Sequence, residues 1–224
     1  MFSIEKLTHG ISEKIGSEIG LNNDQKEVIA YGAFAILQIS ICIVLVIVFG
    51  LIFNVLIEAL IVSFSISILR KYSGGVHANS PGTCAALGTI IAVGQAVIIS
   101  HILTPIVNLK SVIFFGLLIF AWVCYIVYKL APVDSLAKPI TTQQKKKRMK
   151  KASFLILAIY ILIIIINVIM YLLTHEKSFF TFSLCMYGGT AWQAFTLTNT
   201  GNIIFLKVDA FFHKIFVLVG GKII

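Results

Sequence analysis

Long apolar runs broken at a few polar points dominate the chain. The first extends from Ala33 to Leu69, too long for one bilayer crossing of roughly 20 residues. Gly50 and Asn54 interrupt it, which predicts a helical hairpin with arms Ala33–Gly50 and Asn54–Leu69. A third span, Ala85–Leu103, ends before Pro105, and a fourth covers Val112–Leu130. The fifth, Ala152–Leu173, is almost unbroken Ile and Leu. A sixth, roughly Phe182–Leu206, carries polar breaks at Gly188-Gly189, at Gln193 and from Asn199 to Asn202. Before the first run, Phe2, Ile4, Leu7, Ile11, Ile15 and Ile19 recur at helical spacing among charged residues. That pattern predicts a helix lying in the membrane interface or packed on a partner. The end, "FLKVDAFFHKIFVLVGGKII", is amphipathic in the same way.

The predicted fold is therefore all-α. It is a polytopic membrane protein with about six transmembrane helices and amphipathic interfacial helices at both ends. A single transmembrane domain covers 1–224, divided into an interfacial segment (1–30), a hairpin (33–69), a polar loop (70–84) and a second helical pair (85–130). A basic loop (131–151), a third pair (152–206) and an amphipathic tail (207–224) complete it. Composition agrees. Hydrophobic residues make up 58% of the chain and charged residues 12%, against about 25% charged in soluble domains. Mean hydropathy is +0.99. A net charge of +9 would point to nucleic acid in a soluble protein. Here it marks topology and attraction to anionic lipid, and no nucleic-acid partner is expected. No secretory signal is evident at the N-terminus.

Lys138, Lys145, Lys146, Lys147, Arg148, Lys150 and Lys151 form the densest basic cluster, which assigns that loop to the cytoplasm. Two spans separate it from the 70–84 loop, so that loop and both termini fall on the cytoplasmic side of a bacterial cell membrane. The cluster sets orientation, and it also has the charge to contact an acidic peptide.

The loop "RKYSGGVHANSPGTC" holds the candidate chemistry. A nucleophilic cysteine must be a thiolate, favoured by a neighbouring imidazole and by a helix N-terminus. Ser80 suits an N-cap and Pro81 the first helical position, which puts Cys84 in the first turn of the third span. His77 lies upstream on a stretch made pliable by Gly74 and Gly75, and is the candidate base. Gly74 and Gly75 allow backbone N–H groups close to an oxyanion, and Arg70 and Asn79 are further donors or structural supports. Glu58, Asp134 and Asn79 all remain open as a third member orienting His77. The other cysteines, Cys42, Cys124 and Cys185, sit in apolar segments as small hydrophobes. Neither a CxxC pair nor HExxH nor GxSxG is present, so no zinc site, disulfide framework or serine hydrolase is indicated, and no metal or cofactor is expected.

Arg70, then Gly74-Gly75, His77-Ala78 and Cys84 after a short polar spacer, resemble the signature of the accessory gene regulator B family. "LAPVDSLAKPI" before the basic run and "WQAFTLTNTGN" resemble other segments of that family. The resemblance implies a bacterial membrane cysteine endopeptidase of quorum sensing. Its substrate would be a small AgrD-like propeptide with an amphipathic N-terminal helix and an acidic C-terminal tail. His77 would act as base and Cys84 as nucleophile, and an internal Cys or Ser of the substrate would close a thiolactone or lactone. It also implies a homodimer. Glu58, Gln193 and Asn199 would line a substrate chamber or pair helices, and Lys145, Lys146, Lys147 and Arg148 would meet the acidic tail. A small membrane peptide transporter is the competing reading, resting on Glu58 and the broken sixth span.

Overall fold

The structure is a computed structural model that describes residues 4–75, 80–134 and 142–220. Every regular element among the described residues is helical. These are α1 (Ile4–Glu18), α2 (Asn23–Ile52), α3 (Leu56–Ser73) and α4 (Pro81–Ile98). A π-helical turn, Ile99–Leu103, and a short α5, Thr104–Ile106, continue α4. Then come α6 (Leu109–Leu130), α7 (Gln143–Thr174), α8 (Ser178–Leu197) and α9 (Asn199–Gly220). The all-α class follows from uninterrupted apolar sequence in which only intrasegment hydrogen bonds can satisfy the backbone.

Among the described residues, four stretches are long and apolar enough to cross a membrane: Asn23–Ile52, Pro81–Ile106, Leu109–Leu130 and Gln143–Thr174. Their outer faces stay uncovered. Leu117, Leu118, Leu162, Ile165 and Leu173 are all exposed, a continuous apolar surface that water would not tolerate and lipid does. The protein is thus a multi-helix membrane protein. The remaining long helices of the core, α3 and α8, carry more polar and small residues; α8 is the more buried, while α3 leaves Ile57, Phe64 and Ile68 exposed.

Contacts divide the chain into two units, Met1–Leu45 and Val46–Ile224. In the first, α1 buries Thr8 and Ser12 and leaves Leu7, Ile11, Ile15 and Ile19 exposed. The predicted apolar stripe is therefore unburied, as a helix seated in an interface requires.

In the second unit the hairpin corner falls at Asn54, which takes a left-handed φ of 55°. Gly50 stays inside α2, where it lets Leu56 approach. The core surrounds α8. A cluster including Leu69, Val112, Val123, Val127, Leu157, Phe180 and Ala194 lies among α3, α6, α7 and α8. A second, including Val55, Ala59, Val62, Ala92, Ala96 and Cys185, lies among α2, α3, α4 and α8. Two features depart from the expected third helical pair. Gly188-Gly189 does not break α8; a Cβ on Gly189 would lie 2.8 Å from Ser65 Cβ and 2.9 Å from the Val62 carbonyl oxygen. Gly189 lets α3 pack closely on α8, and Gly188 does the same for Gln95 of α4 and the adjoining Ile99, the usual use of small residues between membrane helices. The true break is at Thr198, which separates α8 from α9 and assigns 199–206 to the final helix. The expected break of the sixth span is therefore present at Thr198 and absent at Gly188-Gly189.

Candidate active site

The site is assembled where α3 ends and α4 begins. The last turn of α3 carries Arg70 and Lys71, and Gly74 closes it by donating its N–H to the Arg70 carbonyl at 3.0 Å. Gly74 has φ 74° and ψ −155°, a region open essentially to glycine alone. Its neighbours explain a second need for glycine. The 131–133 segment runs alongside as an isolated parallel bridge between Gly74 and Val133, with Val133 N–H donating to the Ser73 carbonyl at 2.9 Å. A Cβ on Gly74 would lie 2.0 Å from the Val133 carbonyl oxygen. Gly75, with φ 127°, faces Gln193 and Thr196 of α8.

Gln193 holds this corner from the core. Its Nε2 donates to Ser73 Oγ at 3.0 Å and to the Gly74 carbonyl at 2.9 Å. Thr196 Oγ1 braces it in turn, donating to the Gln193 carbonyl at 2.8 Å. Gln193 and Ser73 are both fully buried. Sequence left Gln193 open between lining a substrate chamber and pairing helices; its hydrogen bonds here join α8 to the end of α3, where it fixes the backbone at Ser73 and Gly74.

On the far side of that segment the helix start is as the residues predict. Ser80 is the N-cap of α4; its Oγ accepts from Thr83 N–H at 3.1 Å, and Pro81 occupies the first turn. Cys84 N–H donates to the Ser80 carbonyl at 3.0 Å, so the thiol projects from the first turn. Cys84 is reduced and half-buried. His77 and Asn79 lie outside the described residues, as do Phe2 and Lys138.

Two charged side chains interact electrostatically with Cys84: Arg70 of α3 and Asp209 of α9. Arg70 lies with its guanidinium carbon 6.0 Å from the Phe205 ring centre, so α9 covers this end of α3. Among the open third-member candidates, Glu58 sits in the first turn of α3, at the opposite end from Arg70. Asp134 is exposed.

The basic cluster begins within the residues expected to be loop, but from Gln143 onward it is already helical. Lys145, Lys147 and Arg148 are exposed, and Lys146 is half-buried, on the first turns of α7. Lys150 reaches back to the Tyr128 carbonyl and stacks 4.5 Å from the Tyr128 ring centre. At roughly 1.5 Å per residue, the 32 residues of α7 span about 48 Å, more than a hydrocarbon layer of about 30 Å. Its basic end therefore stands clear of the bilayer.

A family model described as Accessory gene regulator B matches residues 8–197. The chain belongs to that family. Two curated relatives agree, both from Clostridium perfringens. One, "Putative AgrB-like protein" of strain SM101 (type A), is 43% identical over 212 residues, covering 95% of this chain and 99% of its own length. The other, "Putative AgrB-like protein 2" of strain 13 (type A), is 42% identical over the same coverage. No solved structure matches.

For this AgrB-family chain, sequence reading located Cys84 and its helix start but missed Ser73, Val133, Phe205 and Asp209. Ser73 and Val133 act through backbone and hydroxyl contacts between distant segments, which leave no local pattern. Phe205 and Asp209 had a fainter signal. With Gly201 they recur every four residues, one face of a helix.

Proposed function

We propose that this AgrB-family protein is an integral-membrane cysteine endopeptidase of quorum sensing. It cleaves the C-terminal tail from a small AgrD-like propeptide and cyclises what remains. The observation that carries the reading is Cys84, a reduced thiol in the first turn of the capped helix α4, beside the Arg70 cation.

The chemistry runs in two acyl transfers. His77 takes the Cys84 proton, and the thiolate attacks the carbonyl carbon of the bond joining the signal to its tail. The C–N bond breaks, His77 returns the proton to the leaving amine, and the signal remains as a thioester on Cys84. His77 then takes the proton of an internal Cys thiol or Ser hydroxyl of the substrate, which attacks the thioester carbonyl. Sγ of Cys84 leaves and is reprotonated, and the ring closes as thiolactone or lactone. No water is consumed. Amide to thioester is uphill, so tail release is reversible unless the tail departs. A half-buried nucleophile under α9 helps to keep water from the acyl-enzyme.

The exposed basic start of α7 fits recognition of the acidic tail, and the exposed apolar stripe of α1 fits the bilayer surface. The same reading puts the catalytic loop and both termini in the cytoplasm and the protein in a homodimer, with no cofactor. The test uses the full chain in membranes, a propeptide with a central Cys and an acidic end, and mass spectrometry. Tail release and a cyclic product are expected, and Cys84→Ala abolishes both. Unchanged cleavage by that variant would sink the proposal.

A further inference from the structure

We propose that the cavity between α4, α6 and α8 is a substrate subsite, which holds an apolar peptide segment on the retained side of the cleaved bond. The inference rests on Cys84 being the nucleophile that cleaves a propeptide.

The cavity measures about 550 Å³, a usual size for a ligand site. Its floor is one face of α8, where Gly188, Ala191 and Phe195 are only partly buried. Its walls are α4 with the π-helical turn on one side and α6 on the other. The turn supplies Leu103, and such turns concentrate at functional sites. Both tryptophans of the chain, Trp122 and Trp192, line the cavity.

One carboxamide, Gln95, stands among these apolar side chains. Its side-chain oxygen is buried and has no hydrogen-bond partner. The amide of Gln193, by contrast, is bonded to both Ser73 and Gly74. Gly188 makes the room for Gln95, since a Cβ there would lie 2.6 Å from that oxygen. An unpaired buried acceptor is costly and calls for a partner. A carboxamide is the complement of a peptide unit: its N–H donates to the peptide carbonyl and its oxygen accepts from the peptide N–H. The last torsion of a Gln side chain is broad, so the amide can turn to meet both. A peptide at membrane depth needs those bonds equally, whereas a lipid chain has no donor for the oxygen.

The cavity also lies in line with the thiol. Cys84 and Gln95 are 11 residues apart on α4, three helical turns and about 16 Å along one face. Between them on that face is Gly88, which is exposed and where a Cβ would meet nothing within 4 Å. About five residues of extended chain, at roughly 3.3 Å each, span that distance. An acidic tail is the wrong chemistry for an apolar cavity, so the occupant is the segment that precedes the cleaved bond.

Because both tryptophans line the cavity, their fluorescence reads its occupancy. The full chain carrying Cys84→Ala, which binds without turnover, is placed in nanodiscs of phosphatidylglycerol with brominated acyl chains that quench tryptophan on contact. The probe is a synthetic propeptide with a central Cys, about five Leu and Phe residues before the cleaved bond, and an acidic tail. It is expected to restore fluorescence saturably by displacing lipid. Gln95→Leu weakens its binding about fivefold, as loss of one neutral hydrogen bond does, and raises the thermal midpoint by removing an unpaired buried oxygen. Ala191→Phe fills the cavity and weakens binding tenfold or more. A probe with Ser in place of Leu and Phe restores nothing. Fluorescence that the apolar probe leaves quenched means occupancy by lipid alone and overturns the proposal. Binding unchanged in both variants overturns it too, as does a lower midpoint in Gln95→Leu, which would make Gln95 a packing residue. Tail release separates the two readings. Cleavage that survives Cys84→Ala sinks the nucleophile reading and this inference with it. Cleavage that needs Cys84 but keeps its KM in Gln95→Leu and Ala191→Phe sinks the subsite alone.

Discussion

Gln193 Nε2 donates to the Gly74 carbonyl at 2.9 Å across a sequence separation of 119 residues. This joins the last turns of the core helix α8 to the backbone that follows α3. The same amide nitrogen also reaches Ser73 Oγ, so one side chain fixes both residues that precede Gly75. Loss of the donor takes a bond from the buried Ser73 Oγ and leaves the part-buried Gly74 carbonyl with only a long 3.5 Å bond from Ser73 Oγ, at about 1–3 kcal/mol for an unsatisfied buried group. Gln193→Leu is expected to lower the thermal midpoint and to slow tail release. Gln193→Glu is expected to do worse, since an acceptor then faces the Gly74 carbonyl. Wild-type cleavage by the Glu variant would show that this contact does not hold the loop.

Gly74 and Gly75 are adjacent but should not respond alike. At Gly74 any side chain meets both a glycine-only backbone region, about 1–3 kcal/mol, and the Val133 carbonyl oxygen at 2.0 Å. At Gly75 a Cβ has nothing nearer than 3.4 Å, so only the φ of 127° is penalised. Gly74→Ala is expected to abolish cleavage and reduce the folded yield. Gly75→Ala should keep the fold and lose activity in part. Thermal unfolding of the two purified variants, read beside their cleavage rates, checks the order.

Ser80 offers a milder probe of the same loop. Its Oγ satisfies Thr83 N–H at the start of α4, and removal of an N-cap costs about 1 kcal/mol. Ser80→Ala should slow Cys84 alkylation by freeing the turn that carries the thiol, and Ser80→Asn should preserve most of the rate. Equal loss in both variants would mean that the cap does not position Cys84.

Much of this was legible in the residues, for a physical reason. Membrane spans follow from run length and hydropathy, and the start of α4 follows from Ser80-Pro81, because capping is a local interaction. What escaped the sequence is non-local. Gly188-Gly189 reads as a helix breaker by propensity, yet in α8 Gly189 is a packing surface for α3 and Gly188 for Gln95 and Ile99, and no local rule distinguishes the two. The burial of Gln193 and the approach of Val133 to Gly74 depend on which helices meet. Asp209 was hidden for another reason: an aspartate in an amphipathic tail looks solvated, yet α9 leaves it 0% exposed.

The four cysteines provide a check on exposure alone. Cys84 is half-buried at a helix start beside Arg70, whereas Cys185 is 0% exposed among α2, α3 and α4. Cys42 and Cys124 are partly buried on helices that face lipid. With a polar alkylating agent near neutral pH, Cys84 is expected to react first and Cys185 not at all without denaturant. Modification of Cys185 at the rate of Cys84 would contradict the packing of α8.

The basic start of α7 leads to a prediction in which salt decides. Lys145, Lys147 and Arg148 are exposed, and the helix holds them beyond the bilayer, where an acidic tail could reach them through water. Exposed pairs are each worth only about 0.2–1 kcal/mol and are screened over about 10 Å at 0.1 M salt. Reversing all three to Glu is therefore expected to raise KM for an acidic-tailed propeptide by about tenfold or more at low salt. The effect on kcat should be small, since none of the three lies near Cys84. Raising the salt should weaken binding by the wild type and narrow the difference between the two proteins. A propeptide with its tail acids neutralised should bind both proteins alike. If the triple reversal changes kcat and leaves KM alone, the cluster acts on the fold or its orientation in the membrane, and not on the tail.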